Sequence, residues 1–308
     1  MEGGSVCAAG GDEGRRRDPV KGTMAERLTA LLGHRVRRAA RAERSHDWDI
    51  SYAEVEDGTR LFVKSLPRTA APSAVLTSEA RGLTWLGRAF GSPALEPVAW
   101  DDRILVLPWV EEREPSPSAA ERLGRRLAGM HLTGADHFGA PWPGYVGPLP
   151  MDNTPSRKWP TFYAEQRLLP YLRRAADQGG LTPSDVRIVE KVVDRVADLA
   201  GDPEPPARIH GDLWSGNVLW RGQDAVLVDP AAHGGHREAD LAMLTLFGLP
   251  HLERVRDAYN EVAPLATGWR SRVALHQLHP LLVHVCLFGA AYRTTVLEAA
   301  RAALKGWS

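Results

Sequence analysis

His210-Gly211-Asp212-Leu213-Trp214-Ser215-Gly216-Asn217, with Val226-Leu227-Val228-Asp229-Pro230 following it, decides how the rest of the chain is read. Asp212 and Asn217 place a carboxylate and an amide four intervening residues apart on a loop between apolar segments. A carboxylate there can orient a hydroxyl and take its proton, and an amide oxygen is a hard ligand for Mg²⁺. Asp229 ends a short apolar strand 17 residues after Asp212, where a second carboxylate can reach the same metal. Each residue alone has a bland reading, Asp212 as a turn former and Asn217 as a cap. Together they point to phosphoryl transfer.

Upstream residues complete the pattern. Lys64 closes the apolar strand Leu61-Phe62-Val63-Lys64, the setting of a lysine that pairs with phosphates. Glu79, on the helix that follows, is its natural partner. The order Lys64, Glu79, Asp212, Asn217, Asp229 on matching elements is hard to produce by accident.

The surrounding chain reads as a small mixed part and a larger helical part. A helix is expected over Met24–Leu32, stopped by Gly33. From Val36 to Val110 the reading is mostly strand, the arginine-rich start followed by strands at 59–66, 96–100 and 103–110 with a helix at 77–90 among them. That gives strand, strand, helix, strand, strand. Helices follow at about 116–130, 160–176 and 183–200, with a Pro/Gly-rich loop at 134–158, short apolar pieces at 207–209, 218–220 and 225–228, and helix again after Glu238. The expected division is a tail at 1–23, a nucleotide-binding lobe at 24–110 and a catalytic and substrate-binding lobe at 111–308, with Met24 as an alternative start. Adenine is expected between the lobes against the backbone near Leu107–Val110. Pro108 lacks an N–H, so Trp109 or Val110 must donate.

Composition narrows the field. The 308 residues are 44% hydrophobic and 25% charged, within the range of soluble globular chains. With 38 Lys+Arg against 38 Asp+Glu the formal charge is zero, so a general nucleic-acid partner is not expected. Two cysteines, Cys7 and Cys286, make no disulfide framework, and a cytoplasmic setting is expected. The best apolar run, Leu281–Ala291, is broken by His284, and no membrane partner is expected. The eleven histidines show no metal-ligand grouping along the chain, and His276, His279 and His284 read first as packing residues. Arg35–Arg44 reads as a solvated strand face.

HGDLWSGN, with VDPA and GHREADLAML, is similar to the fructosamine (ketosamine) kinases, in the aminoglycoside-phosphotransferase-like branch of the protein-kinase-like superfamily. Gly147, the WPTF stretch from Trp159, Arg167-Leu168, Gln277, His284, Phe288-Gly289 and Tyr292 also match, and the resemblance runs from about Val36 to the C-terminus. It implies a bilobal α+β fold, with a small antiparallel-sheet lobe and a large, mainly helical lobe. The implied activity is ATP-dependent phosphorylation of the 3-hydroxyl of ketosamines, as small molecules or on glycated protein side chains. The product is unstable, so the implied role is deglycation. Asp212 is then the catalytic base, and ATP is held by Lys64, Glu79, Leu107, Trp109, Val110, Asn217 and Asp229. Asn217 and Asp229 bind Mg²⁺, and Trp214, Trp159, His236 and His284 lie on the substrate side. Trp214 either walls the sugar or props the loop.

The chain departs from the family pattern twice. Asp47-Trp48-Asp49-Ile50 stands where the family tends to read Gly-Gly-Asp-Ile, and Asp47 and Trp48 are poor neighbours for ATP there unless they turn outward. His233-Gly234 replaces aromatic residues after Asp229. Glu238 opens a helix within ten residues of Asp229, which leaves no room for a peptide-docking activation segment. Asp240 reads equally as a helix N-terminal carboxylate and as a support for the catalytic loop. The rival readings are a kinase for another small alcohol, such as an aminoglycoside or choline-like acceptor, and an inactive nucleotide-binding pseudokinase.

Overall fold

A computed structural model describes residues 22–44, 48–67 and 74–306. Asp47 and nearly all of the expected tail lie outside the described residues. Helix α1 (Met24–Leu32) opens with a capping box between Thr23 and Glu26 and ends at Gly33 in the left-handed region. Strands β1 (Val36–Arg44), β2 (Asp49–Val55) and β3 (Arg60–Ser65) precede α2 (Val75–Gly87), and β4 (Ala99–Trp100) and β5 (Ile104–Pro108) follow it. Three strands thus precede the helix where two were expected, because β2 stands as a strand of its own between the arginine-rich strand and β3. The sheet is antiparallel in the order β1-β2-β3-β5-β4. Its faces follow the two-residue period of a strand. Leu61, Val63, Ile104 and Val106 pack toward α1, while Phe62, Leu105 and Leu107 pack toward Leu76, Ala80 and Leu83 of α2. Lys64, two residues after Phe62, therefore faces α2.

Beyond Pro108 come α3 (Pro117–Leu132), capped by Ser116, and β6 (Gly144–Val146) and β7 (Leu149–Met151). The last two are an antiparallel hairpin inside the expected loop, turning at Gly147 with φ 54°. A single helix was expected at 160–176. Instead α4 (Trp159–Phe162) runs through a π-helical stretch, Tyr163–Leu168, into α5 (Leu169–Asp177). The 183–200 stretch is also divided, into α6 (Pro183–Val193) and α7 (Val196–Leu199).

The remaining elements are β8 (Ala207–Ile209), β9 (Val218–Arg221), β10 (Asp224–Leu227), β11 (His233–Gly235), α8 (Glu238–Phe247), α9 (Leu252–Val262), α10 (Trp269–Phe288) and α11 (Arg293–Lys305). β9 pairs with β10, and β11 with β8, so the loop between β8 and β9 and the segment after β10 are held side by side. Leu227 exchanges backbone hydrogen bonds with Pro93 and Leu95, tying β10 to the chain between α2 and β4. The stretch Trp269–Lys305 is long and apolar enough, by composition, to cross a bilayer, with mean hydropathy 1.4 over its most apolar window. Half of that window is buried, with Leu275, Leu278, Leu281 and Leu282 packed in the largest core cluster.

Candidate active site

Lys64 Nζ lies 2.8 Å from Glu79 Oε2 and 3.2 Å from Asp229 Oδ1. The ammonium is buried, and its two carboxylate neighbours keep it charged against the penalty of burial. Two carboxylates around one ammonium leave a surplus negative charge. Burial and the neighbouring Asp229 push the Glu79 carboxyl up, while Lys64 draws Asp229 down. Asp229 adopts φ 53°, a left-handed conformation costly for a residue with a Cβ. The Trp48 ring lies over Lys64 with Nζ 4.7 Å from its centroid. The condition that Trp48 turn outward is not met: the ring faces the site, where its π face attracts the buried ammonium.

The loop carrying Asp212 is fixed from below. Asp240 Oδ2 accepts the N–H of His210 at 2.7 Å, and Oδ1 accepts that of Gly211 at 2.9 Å. His131 Nε2 lies 3.1 Å from Asp240 Oδ2, with Tyr259 hydroxyl 2.8 Å from the other ring nitrogen. Of the two readings of Asp240, loop support is the one the geometry displays. His210 Nε2 donates to Val228 O at 2.9 Å, joining the loop to the Asp229 segment. Gly211 has φ 80°, and a Cβ there would meet Ala231 O at 2.3 Å, which is why no larger residue stands between His210 and Asp212.

Asn217 Nδ2 donates to Asp212 O at 2.8 Å and reaches Asp212 Oδ2 at 3.3 Å and Asp229 O at 3.4 Å. The amide nitrogen is so used, while no hydrogen bond to Oδ1 is made among the described residues, and Asn217 lines the same cavity as Asp212 and Asp229. Burial first, then the charge on Asp229, pushes the Asp212 carboxyl up to about 7. A free amide oxygen beside crowded carboxylates is a donor set that fits a hard divalent cation. Lys64, Glu79, Asp212, Asn217 and Asp229 line one cavity of about 200 Å³, with Trp48, Tyr145 and Trp214. Tyr145, on the β6–β7 hairpin, had no signal in the sequence beyond the nearby Gly147.

Asp229 also borders a second cavity of about 210 Å³, lined by Phe62, Leu95, Leu107, Trp109, Val110, Leu219 and Val228. This slot between the sheet and β9–β10 has the flat apolar walls an adenine ring requires. The Trp109 N–H is already bound to Arg60 O at 3.1 Å, so of the two expected donors it is not available to a base. The Trp109 ring stacks edge-on with Tyr52 at 4.8 Å.

The four substrate-side candidates separate. Trp214 is 40% exposed on the cavity wall, and its ring covers Gly216, where a Cβ would sit 2.3 Å from the indole. His284 joins it through Phe247: ring centroids are 6.2 Å apart for Trp214–Phe247 and 5.1 Å for Phe247–His284. Trp159 and His236 do not line this cavity. Both are buried in a second compartment, where Trp159 stacks on Tyr163 at 4.7 Å and contacts the His236 and His276 rings. That compartment corrects a further expectation, because His236, Glu238 and His276 bring potential ligand atoms within 4.8 Å of one another. Both Glu238 oxygens are held by Arg272, at 2.9 and 2.5 Å, so the carboxylate is already compensated. Arg167 is buried nearby, bound by Asp152 O, Gln166 O and Asn153 Oδ1, with Phe162 against its guanidinium.

Comparison with known proteins agrees with this geometry. The fructosamine kinase family profile matches residues 23–305. "Probable ketoamine kinase YniA" of Escherichia coli K12 is 33% identical over 255 residues, covering 80% of this chain and 84% of the relative. The chloroplastic protein-ribulosamine 3-kinase of Arabidopsis thaliana is 37% identical over 183 residues, covering 57% of this chain and 54% of that protein. A Thermobifida fusca crystal structure, provisionally described as a fructosamine-3-kinase, superposes with TM-score 0.90 at 66% identity, covering 92% of this chain and 99% of that one. The gentamicin complex of APH(2")-IIa, at TM-score 0.60, 14% identity and coverage of 91% and 94%, shares the fold.

Proposed function

The chain belongs to the fructosamine kinase family, and from that premise we propose how its residues carry out ATP-dependent phosphorylation of the 3-hydroxyl of ketosamines, the adducts that sugars form with amines. The observation that carries the reading is the convergence of Lys64, Asp212, Asn217 and Asp229 on a single cavity walled by an exposed tryptophan. Bound Mg·ATP supplies the phosphoryl group and the positive charge that offsets its oxygens in the transition state. Asn217 Oδ1 and the Asp229 carboxylate are the metal ligands. Lys64, held by Glu79, pairs with the nucleotide phosphates. The adenine lies in the slot beside Leu107, and with the Trp109 N–H engaged, Val110 provides the backbone donor.

Asp212 orients the acceptor hydroxyl and takes its proton late. Positioning and charge neutralisation supply most of the acceleration. Trp214 lies against the C–H face of the sugar, and the neutral His284 stands behind it. On this reading the segment up to Val110 serves the nucleotide and the remainder serves the acceptor. The 3-phosphate adduct falls apart, so the consequence is deglycation, and we place it in the cytoplasm. An aminoglycoside acceptor is disfavoured because Glu238 and Asp240, the acids nearest the site in sequence after Asp229, are both engaged within the fold.

The test is ADP release with fructosyl-amine, ribulosyl-amine and aminoglycoside acceptors, with the phosphorylated carbon read by NMR. Turnover of ketosamines at O3 is expected. ADP only from aminoglycosides would replace the acceptor, and an ATP-dependent rise in melting temperature without ADP from any acceptor would favour the pseudokinase.

A further inference from the structure

Five rings form a continuous strip leading away from Asp212. Trp214 contacts Phe247, Phe247 contacts His284, and His284 contacts Phe288 at 5.5 Å and Tyr292 at 4.8 Å. Phe288 and Tyr292 also touch, at 5.8 Å. The strip is assembled from the catalytic loop, the end of α8, the end of α10 and the turn before α11. Trp214 is 40%, Phe247 37% and Phe288 59% exposed. Single exposed apolar side chains are ordinary, but a contiguous group beside a reaction centre marks a binding surface.

We infer that this strip is the subsite for the amine-derived half of the acceptor, and that it selects adducts of apolar or aromatic amines over adducts of free amino acids. The inference rests on the ketosamine reading above. In a ketosamine the nitrogen is on C1 and the reacting hydroxyl on C3. With O3 at Asp212, the amine substituent must leave the cavity within a few ångströms of Trp214, where the strip begins.

The chemistry of the strip sets the preference. None of its side chains carries a fixed charge. His284 Nδ1 donates to Pro280 O at 2.6 Å, and burial lowers its affinity for a second proton, so the ring is neutral. Arg293, next in sequence to Tyr292, is already bound to Asp185 at 2.6 and 3.2 Å. A carboxylate beside the adduct nitrogen would be desolvated there without a cation to receive it. A protonated adduct nitrogen meets ring faces that attract it, and an apolar or aryl substituent covers Phe288.

The experiment compares two adducts of the same sugar, fructosyl-phenethylamine and fructosyl-glycine, on wild-type protein and on Phe288→Ala. Wild type is expected to prefer the phenethylamine adduct in kcat/KM. Phe288→Ala is expected to shrink that preference by about fivefold, the scale of one lost aromatic contact. Phe288→Leu, which keeps apolar bulk without a ring, should fall between the two. An unchanged ratio, or equal loss on both adducts, overturns the inference while leaving the ketosamine reading intact. Turnover of neither adduct by wild type overturns both. Sedimentation of the same proteins covers the other occupant: a dimer that Phe288→Ala dissociates, with the ratio unchanged, assigns the strip to a second copy of the chain.

Discussion

The proposed mechanism gives Asp212 the acceptor's proton and no part in holding the nucleotide, so Asp212→Asn should lower kcat by about 10²-fold or more while the affinity for ATP changes little. Near-wild-type turnover would remove it from the mechanism. Asp229→Ala should abolish activity and weaken Mg·ATP far more than metal-free ATP in calorimetric titration. Equal loss with and without Mg²⁺ would point to misfolding. Trp214 can be tested in two ways. Trp214→Ala removes the ring, and Gly216→Ala pushes it aside, because the added Cβ would enter the space the indole occupies. Both should raise KM for the ketosamine severalfold and leave KM for ATP nearly constant. If only thermal stability falls, the ring props the loop.

At the scale of elements, the loop after β8 and the N-terminus of α8 act as one unit. Asp240 accepts two consecutive backbone N–H groups, and its other contacts run through His131 to Tyr259 on α9. Removing a partner so that a buried donor is left unpaired costs about 1–3 kcal/mol. Asp240→Ala should therefore lower the melting temperature by several degrees and reduce kcat together with it. A variant of wild-type stability and activity would show that the loop holds its shape unaided. The β6–β7 hairpin contributes Tyr145 to the same cavity. Pro and Gly in the sequence pointed to a loop there, but the three-residue strands are too short to give a periodicity. The π-helical stretch holding Arg167 was hidden for a related reason: one residue more per turn barely disturbs a helical pattern.

Across the whole molecule, buried histidines set the response to acid. His233 and His279 are held well below the usual histidine range, and His236 is pushed down to about 3, in each case mainly by burial. An unfolded histidine takes a proton near pH ~6.5 and these do not, so their stability is full above that value and lost as pH falls beneath it. Each contributes about 1.4 kcal/mol per pH unit. Asp212 works in the opposite direction, since its raised value lets the folded state bind a proton as pH falls through about 7. Glu79, also pushed up, acts as Asp212 does, while His210 and His284 are lowered like the other three histidines, so five groups against two leave a net loss. The melting temperature should fall between pH 7.5 and 5.5, and His236→Gln should make the fall shallower. A flat profile would mean that these rings are solvated.

The sequence by itself determined the reaction class and the order of its parts. Asp212, Asn217 and Asp229 sit within one short segment whose spacing carries their relation, and strand alternation turns Lys64 toward the helix of Glu79. Only the tertiary structure decided which histidines and rings meet. His236 and His276 come together from elements 40 residues apart, and Trp214 reaches His284 through Phe247. It also turned Trp48 inward over Lys64 and withdrew Trp159 and His236 from the cavity wall. The difference is physical. Spacing along a strand or loop fixes neighbours over a few residues, whereas contacts between distant elements depend on how helices and sheet pack, which no local pattern encodes.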